Sequence, residues 1–163
     1  MISVPINNIT SNPFNDIGKQ WMLITAIKDG IANTMTASWG GLGVLWNKNV
    51  ATIYVRPQRF THDFLEAADT FTLSFLPDQY RNALTLCGRT SGRDTNKIAE
   101  AGLTTVFSDN YAYFSEAERV IVCRKIYKSR IVPNGFLDNS IASNYPDEDY
   151  HTVYIGEITA CLQ

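Results

Sequence analysis

Four short segments carry side chains that could hold an anion or a flat polar ligand. In Arg56-Pro57-Gln58-Arg59-Phe60-Thr61, two guanidinium groups and a hydroxyl stand immediately before a predicted helix start. A phosphate dianion needs this combination of forked cationic donors, an O–H donor and the unpaired N–H groups of a helix N-terminus. A single arginine in contact contributes at most about 4 kcal/mol near a protein surface, before desolvation is subtracted. Cys87-Gly88-Arg89-Thr90-Ser91-Gly92-Arg93-Asp94-Thr95-Asn96-Lys97 repeats the ingredients in a glycine-flanked turn that opens another helix, where backbone amides could wrap a phosphorylated ligand. The plainer reading of both segments is solvated surface charge beside ordinary helix ends.

The other two segments suit a ring. On a strand, Thr34, Thr36 and Ser38 share one face, while Asn33, Met35, Ala37 and Trp39 share the other. Small hydroxyl side chains let a flat ligand approach the backbone, whose N–H groups can then meet acceptors along its edge; the alternative is a half-buried strand with Thr and Ser facing water. His151 opens the strand HTVYIGEI, where its imidazole could reach a cleft mouth, and Gly156 leaves room beside that strand.

Composition removes several chemistries. The chain has 163 residues with 14 Lys and Arg against 16 Asp and Glu, a net charge of −2, so a broad nucleic-acid or anionic-membrane surface is not expected. Three cysteines without a Cys-x-x-Cys pair exclude a zinc ribbon or a dithiol motif, and two histidines are too few for a His-rich metal site. Cys87 reads as a small core residue, since no catalytic His or Asn motif accompanies it. Asp147-Glu148-Asp149 reads as a solvated loop, lacking the ligand spacing of a cation site. No Gly-x-Gly-x-x-Gly follows a strand. No signal peptide or membrane span is visible, and the thiols are expected to be reduced, so the expected setting is cytoplasmic. The charged fraction of 18% is consistent with a surface partly covered in an oligomer.

The elements that must position these groups are mostly strands in one predicted domain, residues 1–163. WMLITAIK and IANTMTASW flank Asp29-Gly30, a dipeptide that accepts positive φ, and so predict a hairpin. Gly40, Gly41 and Gly43 are expected to loosen the chain before the strand VATIYV at 50–55. Thr61 is the expected N-cap of a helix, with Phe60 and Leu65 as a hydrophobic staple. TFTLSFL at 70–76 is expected to alternate as a strand. Tyr80, Ala83, Leu84 and Cys87 share a helical face that Gly88 would end, and a short helix is expected from Asn96 to Ala101 with Gly102 closing it. Val120–Cys123, inside the strand 119–127, reads as covered on both faces, and residues 151–162 form the last strand. Many strands with a few short helices predict a mainly β barrel.

Taken together and in this order, NTMTASWG (33–40), VRPQRFT (55–61), CGRTSGRDTNK (87–97) and HTVYIGEI (151–158) resemble the flavin reductase-like family of FMN-binding split barrels, in particular its flavoredoxin branch. The resemblance implies a six-stranded split barrel that forms a homodimer, with one FMN per subunit. Asn33, Thr34, Met35, Thr36, Ala37 and Ser38 would line the isoalloxazine edge, chiefly through backbone amides, with Trp39 packed nearby. Arg56, Arg59 and Thr61 would hold the phosphate. The turn carrying Cys87, Gly88, Thr90 and Ser91 would close over the ribityl or phosphate side, Lys97 would add charge, and His151 would stand near the open ring face where a reductant arrives. Asn96 departs from the Asp usual in relatives, and Ile98 from an aromatic residue. Three functions remain open at this point: an oxidoreductase that takes hydride from NAD(P)H onto flavin N5, a non-enzymatic FMN electron carrier serving a redox partner protein, and a barrel with a degenerate site.

Overall fold

A computed structural model describes all 163 residues. Its strands are β1 (Ser3–Val4), β2 (Met22–Lys28), β3 (Ile31–Ala37), β4 (Gly40–Leu45), β5 (Lys48–Val55), β6 (Thr70–Phe75), β7 (Thr105–Phe107), β8 (Ala112–Phe114), β9 (Arg119–Arg130) and β10 (Thr152–Leu162). Eight of them form one antiparallel sheet in the order β3-β2-β6-β9-β10-β5-β4, with β1 added to β10, while β7 and β8 pair separately.

The two ends of that order, β3 and β4, are neighbours in sequence, joined only by Ser38 and Trp39. A link of this length spans at most roughly 11 Å. The sheet must therefore curl until its edges meet, giving a barrel with one unpaired seam. Its interior is filled by Met22, Ile24, Ala26, Ile53, Val55, Phe71, Leu73, Phe75, Ile121 and Tyr154, which alternate inward along their strands. A second apolar cluster forms outside the barrel, where Leu23 and Leu76 meet Ala83, Leu84 and Cys87.

The expected hairpin is present: Asp29 and Gly30 turn at φ 51° and 76° between β2 and β3. The expected count of six strands is corrected to eight. One addition is the short β1, and the other is β4, in the stretch expected to be loose. Gly40 is small for a reason, because a Cβ there would lie 2.9 Å from the Met22 side chain and 3.0 Å from the Thr52 carbonyl. The turn from β4 to β5 places Trp46 and Asn47 at φ 53° and 58°, a conformation the residue types did not signal. β6 does not alternate between core and solvent; all six of its residues are buried. Phe71, Leu73 and Phe75 face the barrel interior, and the outer face is covered by the β7–β8 pair, with Thr72 donating to the Ala112 carbonyl at 2.6 Å. Val120–Cys123 are buried as expected, and β9 runs on to Arg130.

The longer helices are α2 (Phe60–Ala67) and α3 (Arg81–Arg89); α1 (Pro13–Asn15) and α4 (Lys97–Glu100) are single turns. Arg59, not Thr61, takes the N-cap position of α2, and the Phe60 ring packs edge-on to Phe64 at 5.0 Å instead of stapling to Leu65. Gly88 lies inside α3, which runs one residue further; hydrogen there lets the helix sit against Thr36, whose Cβ would be 3.4 Å from an added Cβ. The expected 96–101 helix shrinks to α4, capped by Asn96, whose side chain accepts from the Ala99 amide at 3.3 Å. Gly102 ends it at φ 67°. No helix is long and apolar enough to cross a membrane.

Candidate functional site

Being the two ends of the sheet, β3 and β4 each keep one row of backbone N–H and C=O groups that no ladder satisfies. Where β3 leaves the sheet, an open cleft of about 200 Å³ forms at the seam, lined by Met35, Thr36, Ala37, Ser38, Trp39, Tyr54, Arg56, Arg59 and His151. Sequence reasoning named all of these except Tyr54. That residue lies on the outer face of β5, and only its tertiary position gives it meaning.

Arg59 at the cleft and Lys97, which lines a second cavity behind it, are two cations of unusual status. Arg59 donates to the carbonyls of Gly88 at 2.7 Å and Cys87 at 3.4 Å. Lys97, buried, donates to the carbonyls of Thr90 at 3.0 Å and Cys87 at 3.3 Å. Both therefore collect on the otherwise orphaned carbonyls at the C-terminus of α3, a favourable place for positive charge. The six ion pairs of the chain involve other cations: Lys48, Arg56, Arg93, Arg119, Arg124 and Lys128. Burial lowers the Arg59 pKa, and it brings Lys97 down to about 8. Two desolvated cations sharing one carbonyl and no carboxylate leave uncompensated positive charge that an anion would relieve.

Arg56 differs from its neighbour. It pairs with Asp149, donates to the Asn144 carbonyl at 2.8 Å, and lies 5.1 Å from the Tyr145 ring centre. Gln58 also bonds Asp149, so this acid is a tether and not the solvated group the sequence suggested. The bonds pin the segment between β9 and β10 across the barrel end, where the Phe136 and Tyr145 rings stack at 5.8 Å and Tyr150 meets Tyr145 at 5.0 Å.

His151 is buried with Nδ1 2.9 Å from the Tyr145 hydroxyl and its ring 5.2 Å from that of Trp39. Burial first, and Arg56 second, push its pKa down to about 4, so the imidazole at the cleft is neutral at pH 7.

The predicted threonines of β3 and α2 bond through their hydroxyls inside the fold. Thr34 is fully buried and donates to the Ile24 carbonyl at 3.0 Å. Thr36 donates to Leu84 O at 2.5 Å, and the Thr61 hydroxyl accepts from Asn33 Nδ2 at 2.9 Å. Cys87 is buried beneath α3, and its thiol pKa is raised by burial. Gly88, Thr90 and Ser91 form the turn whose carbonyls the two cations reach; the Ser91 hydroxyl accepts from the Arg93 amide at 3.2 Å. Asn33 and Lys97 line an adjoining cavity of about 410 Å³ with Gly92 and Asn96. Ile98 packs on the cluster under α3, so the loss of an aromatic residue there leaves the loop anchored. Tyr145 was missed altogether, because it sits in an irregular segment without periodicity.

The family model described as flavin reductase like domain matches residues 14–163. The chain belongs to the flavin reductase-like family. No curated protein matches it. Solved structures agree on the fold. The flavoredoxin of Methanosarcina acetivorans superposes with a TM-score of 0.71 at 18% identity, covering 96% of this chain and 75% of the other. The flavoredoxin of Desulfovibrio vulgaris (Miyazaki F) gives 0.68 at 23% identity, covering 87% and 68%. The Streptomyces globisporus C-1027 NADH:FAD oxidoreductase SgcE6, in complex with NAD and FAD fragments, gives 0.66 at 17% identity, covering 92% and 78%. The split barrel of the family is the architecture described above. The group its name implies, a flavin, fits this chain at two points: the uncompensated cations at Arg59 and Lys97 suit a phosphate, and the unpaired β3 edge suits a ring bordered by acceptors.

Proposed function

We propose that the chain binds FMN in the seam cleft and works as a flavin oxidoreductase, taking hydride from NAD(P)H and passing electrons on. The observation that carries this reading is a pair of cations without a carboxylate, the half-buried Arg59 and the buried Lys97, at the end of an edge strand. When bound, FMN supplies an N5 position that accepts hydride, so no side chain has to be the chemical catalyst. The chain's residues bind and orient. Arg59 and Lys97, with Thr90 and Ser91 beside them, hold the phosphate; Arg56 joins them only on leaving Asp149. The Asn33–Ser38 edge borders the ring through its backbone, Thr61 steadies Asn33, and Trp39 and Tyr54 pack at the rim. His151, neutral at pH 7, offers a hydrogen-bonding group without adding charge where a reductant approaches.

The reading extends to a homodimer. Val44 and Trp46, at the β4–β5 hairpin tip, and Tyr127 on β9 form an apolar surface, with Val44 74% exposed and the Trp46 and Tyr127 rings 5.9 Å apart. Three free cysteines, all buried, suit a reducing, cytoplasmic setting. A second reading, an electron carrier for a protein partner, draws support from the openness of the cleft and from Trp39, 46% exposed at its mouth.

Absorbance of the purified protein near about 375 and 450 nm tests flavin retention. Anaerobic stopped-flow mixing with NADH and NADPH then separates the two readings. Bleaching within seconds supports the oxidoreductase, and a His151→Ala variant should keep its flavin and bleach more slowly. Absence of bleaching with either nucleotide leaves the carrier.

A further inference from the structure

The segment between β9 and β10 crosses the barrel end as a strap that joins no sheet. From Ile131 to Tyr150 its only buried residue is Tyr145. A cavity of about 570 Å³ lies between Phe136 and Ile141 on the strap and Pro13, Ile17 and Trp39 opposite, so apolar packing does not seal the strap down there. Polar contacts hold it instead, and they converge on one side chain. Arg56 pairs with Asp149, donates to the Asn144 carbonyl at 2.8 Å, and lies 5.1 Å from the Tyr145 ring centre. The other ties are fewer: Gln58 on Asp149, the Tyr145 hydroxyl on His151 at 2.9 Å, and Arg130 on the Glu148 carbonyl at 3.5 Å.

Arg56 also lines the seam cleft, as does Arg59. One guanidinium therefore faces two claims, from the strap carboxylate and from any anion that enters the cleft. Asp149 offers a single negative charge, whereas a phosphate monoester carries about −1.5 to −2 at pH 7 with three acceptor oxygens. A fork that turns to the phosphate keeps a charge-assisted pair and abandons all three of its strap contacts at once. We infer that Asp149 is an internal competitor for the phosphate site: in the ligand-free chain it occupies Arg56 and keeps the strap docked, and when a phosphate-bearing ligand binds, Arg56 leaves it and residues 144–150 come free. The inference deepens the proposed function by naming the residue that sets the affinity of that site, and it rests on that reading for the ligand. Such coupling is reciprocal, so the affinity that strap docking withholds from a phosphate is restored when Asp149 is removed.

The test follows amide hydrogen exchange across the strap by mass spectrometry, beside flavin titrations read by fluorescence quenching. In the parent, saturating FMN should speed exchange in residues 141–149 at least fivefold, the low end of ordinary couplings of about 5–150-fold. Inorganic phosphate at millimolar concentration should act in the same direction, and riboflavin should not. Asp149→Asn keeps the side-chain shape and removes the charge. It should exchange fast without any ligand and bind FMN at least fivefold more tightly than the parent, with riboflavin affinity within twofold. Asp149→Ala gives the same reading should the amide still accept from Arg56. FMN affinity unchanged in both variants overturns the inference, and so does strap exchange that FMN slows or leaves alone in the parent. A parent that binds FMN with its strap unmoved sinks this inference alone. One that binds no flavin, yet loosens its strap in phosphate, sinks the proposed function and keeps Asp149 in this role; one that responds to neither sinks both.

Discussion

Arg59 and Lys97 concentrate the electrostatics of the site, and each gives a separate prediction. Arg59→Ala should weaken FMN binding at least tenfold, about 1.4 kcal/mol, yet leave riboflavin binding unchanged, because only the phosphate is lost as a partner. The variant should still fold, with a melting temperature lower by only a few degrees for the carbonyl contacts removed from α3. Lys97 supplies a pH test. With its pKa near 8 in the free protein, it loses its charge as pH rises through that value, and a bound phosphate favours the charged form. Above pH 8, binding must therefore take up a proton. FMN affinity should fall by up to about tenfold per pH unit between pH 8 and 9.5, and riboflavin affinity should stay flat. A parallel decline of both flavins, followed by fluorescence quenching, would remove Lys97 from the phosphate site.

Among the elements, β10 carries the tightest constraint. Gly156 was expected to leave room beside the strand; instead the room is filled by neighbours. A Cβ there would lie 2.7 Å from Cys123 Cβ and 2.7 Å from the Phe71 ring, next to an irregularity in the β9–β10 register at Ile155 and Gly156. Both neighbours are fully buried and belong to the packed interior, so neither can swing aside cheaply. Gly156→Ala should destabilise the fold by roughly 2–3 kcal/mol, measured as a shift of the urea midpoint with unchanged slope. Thr159→Ala, on the same strand but exposed, should move the midpoint little.

At the scale of the whole molecule, the exposed hairpin tip bears on assembly. Trp46→Glu should convert a sedimentation-velocity dimer toward monomer at micromolar concentration, since it places a charge in an apolar contact. A parent chain that sediments as a monomer at all concentrations would reject the dimer.

Local chemistry made much of this legible. Asp29-Gly30 specified its own turn, the apolar runs specified six of the barrel strands, and the cluster of Arg, Thr, Ser and Gly residues marked the candidate anion site, because each signal lies within a dozen neighbouring residues. What remained hidden depends on pairings between distant segments. Arg56 and Arg59 are nearly interchangeable as sequence, but the fold brings Asp149 to one and only carbonyls to the other, and that difference leaves Arg59 free to attract a phosphate. The same holds for Tyr54 and Tyr145, which become parts of a site only because β5 and the segment after β9 are carried to the seam. Residue types thus decided which chemistry the chain could host. The closure of the sheet decided where it stands, because compensation of charge and the shape of a cavity are properties of what arrives from elsewhere in the chain.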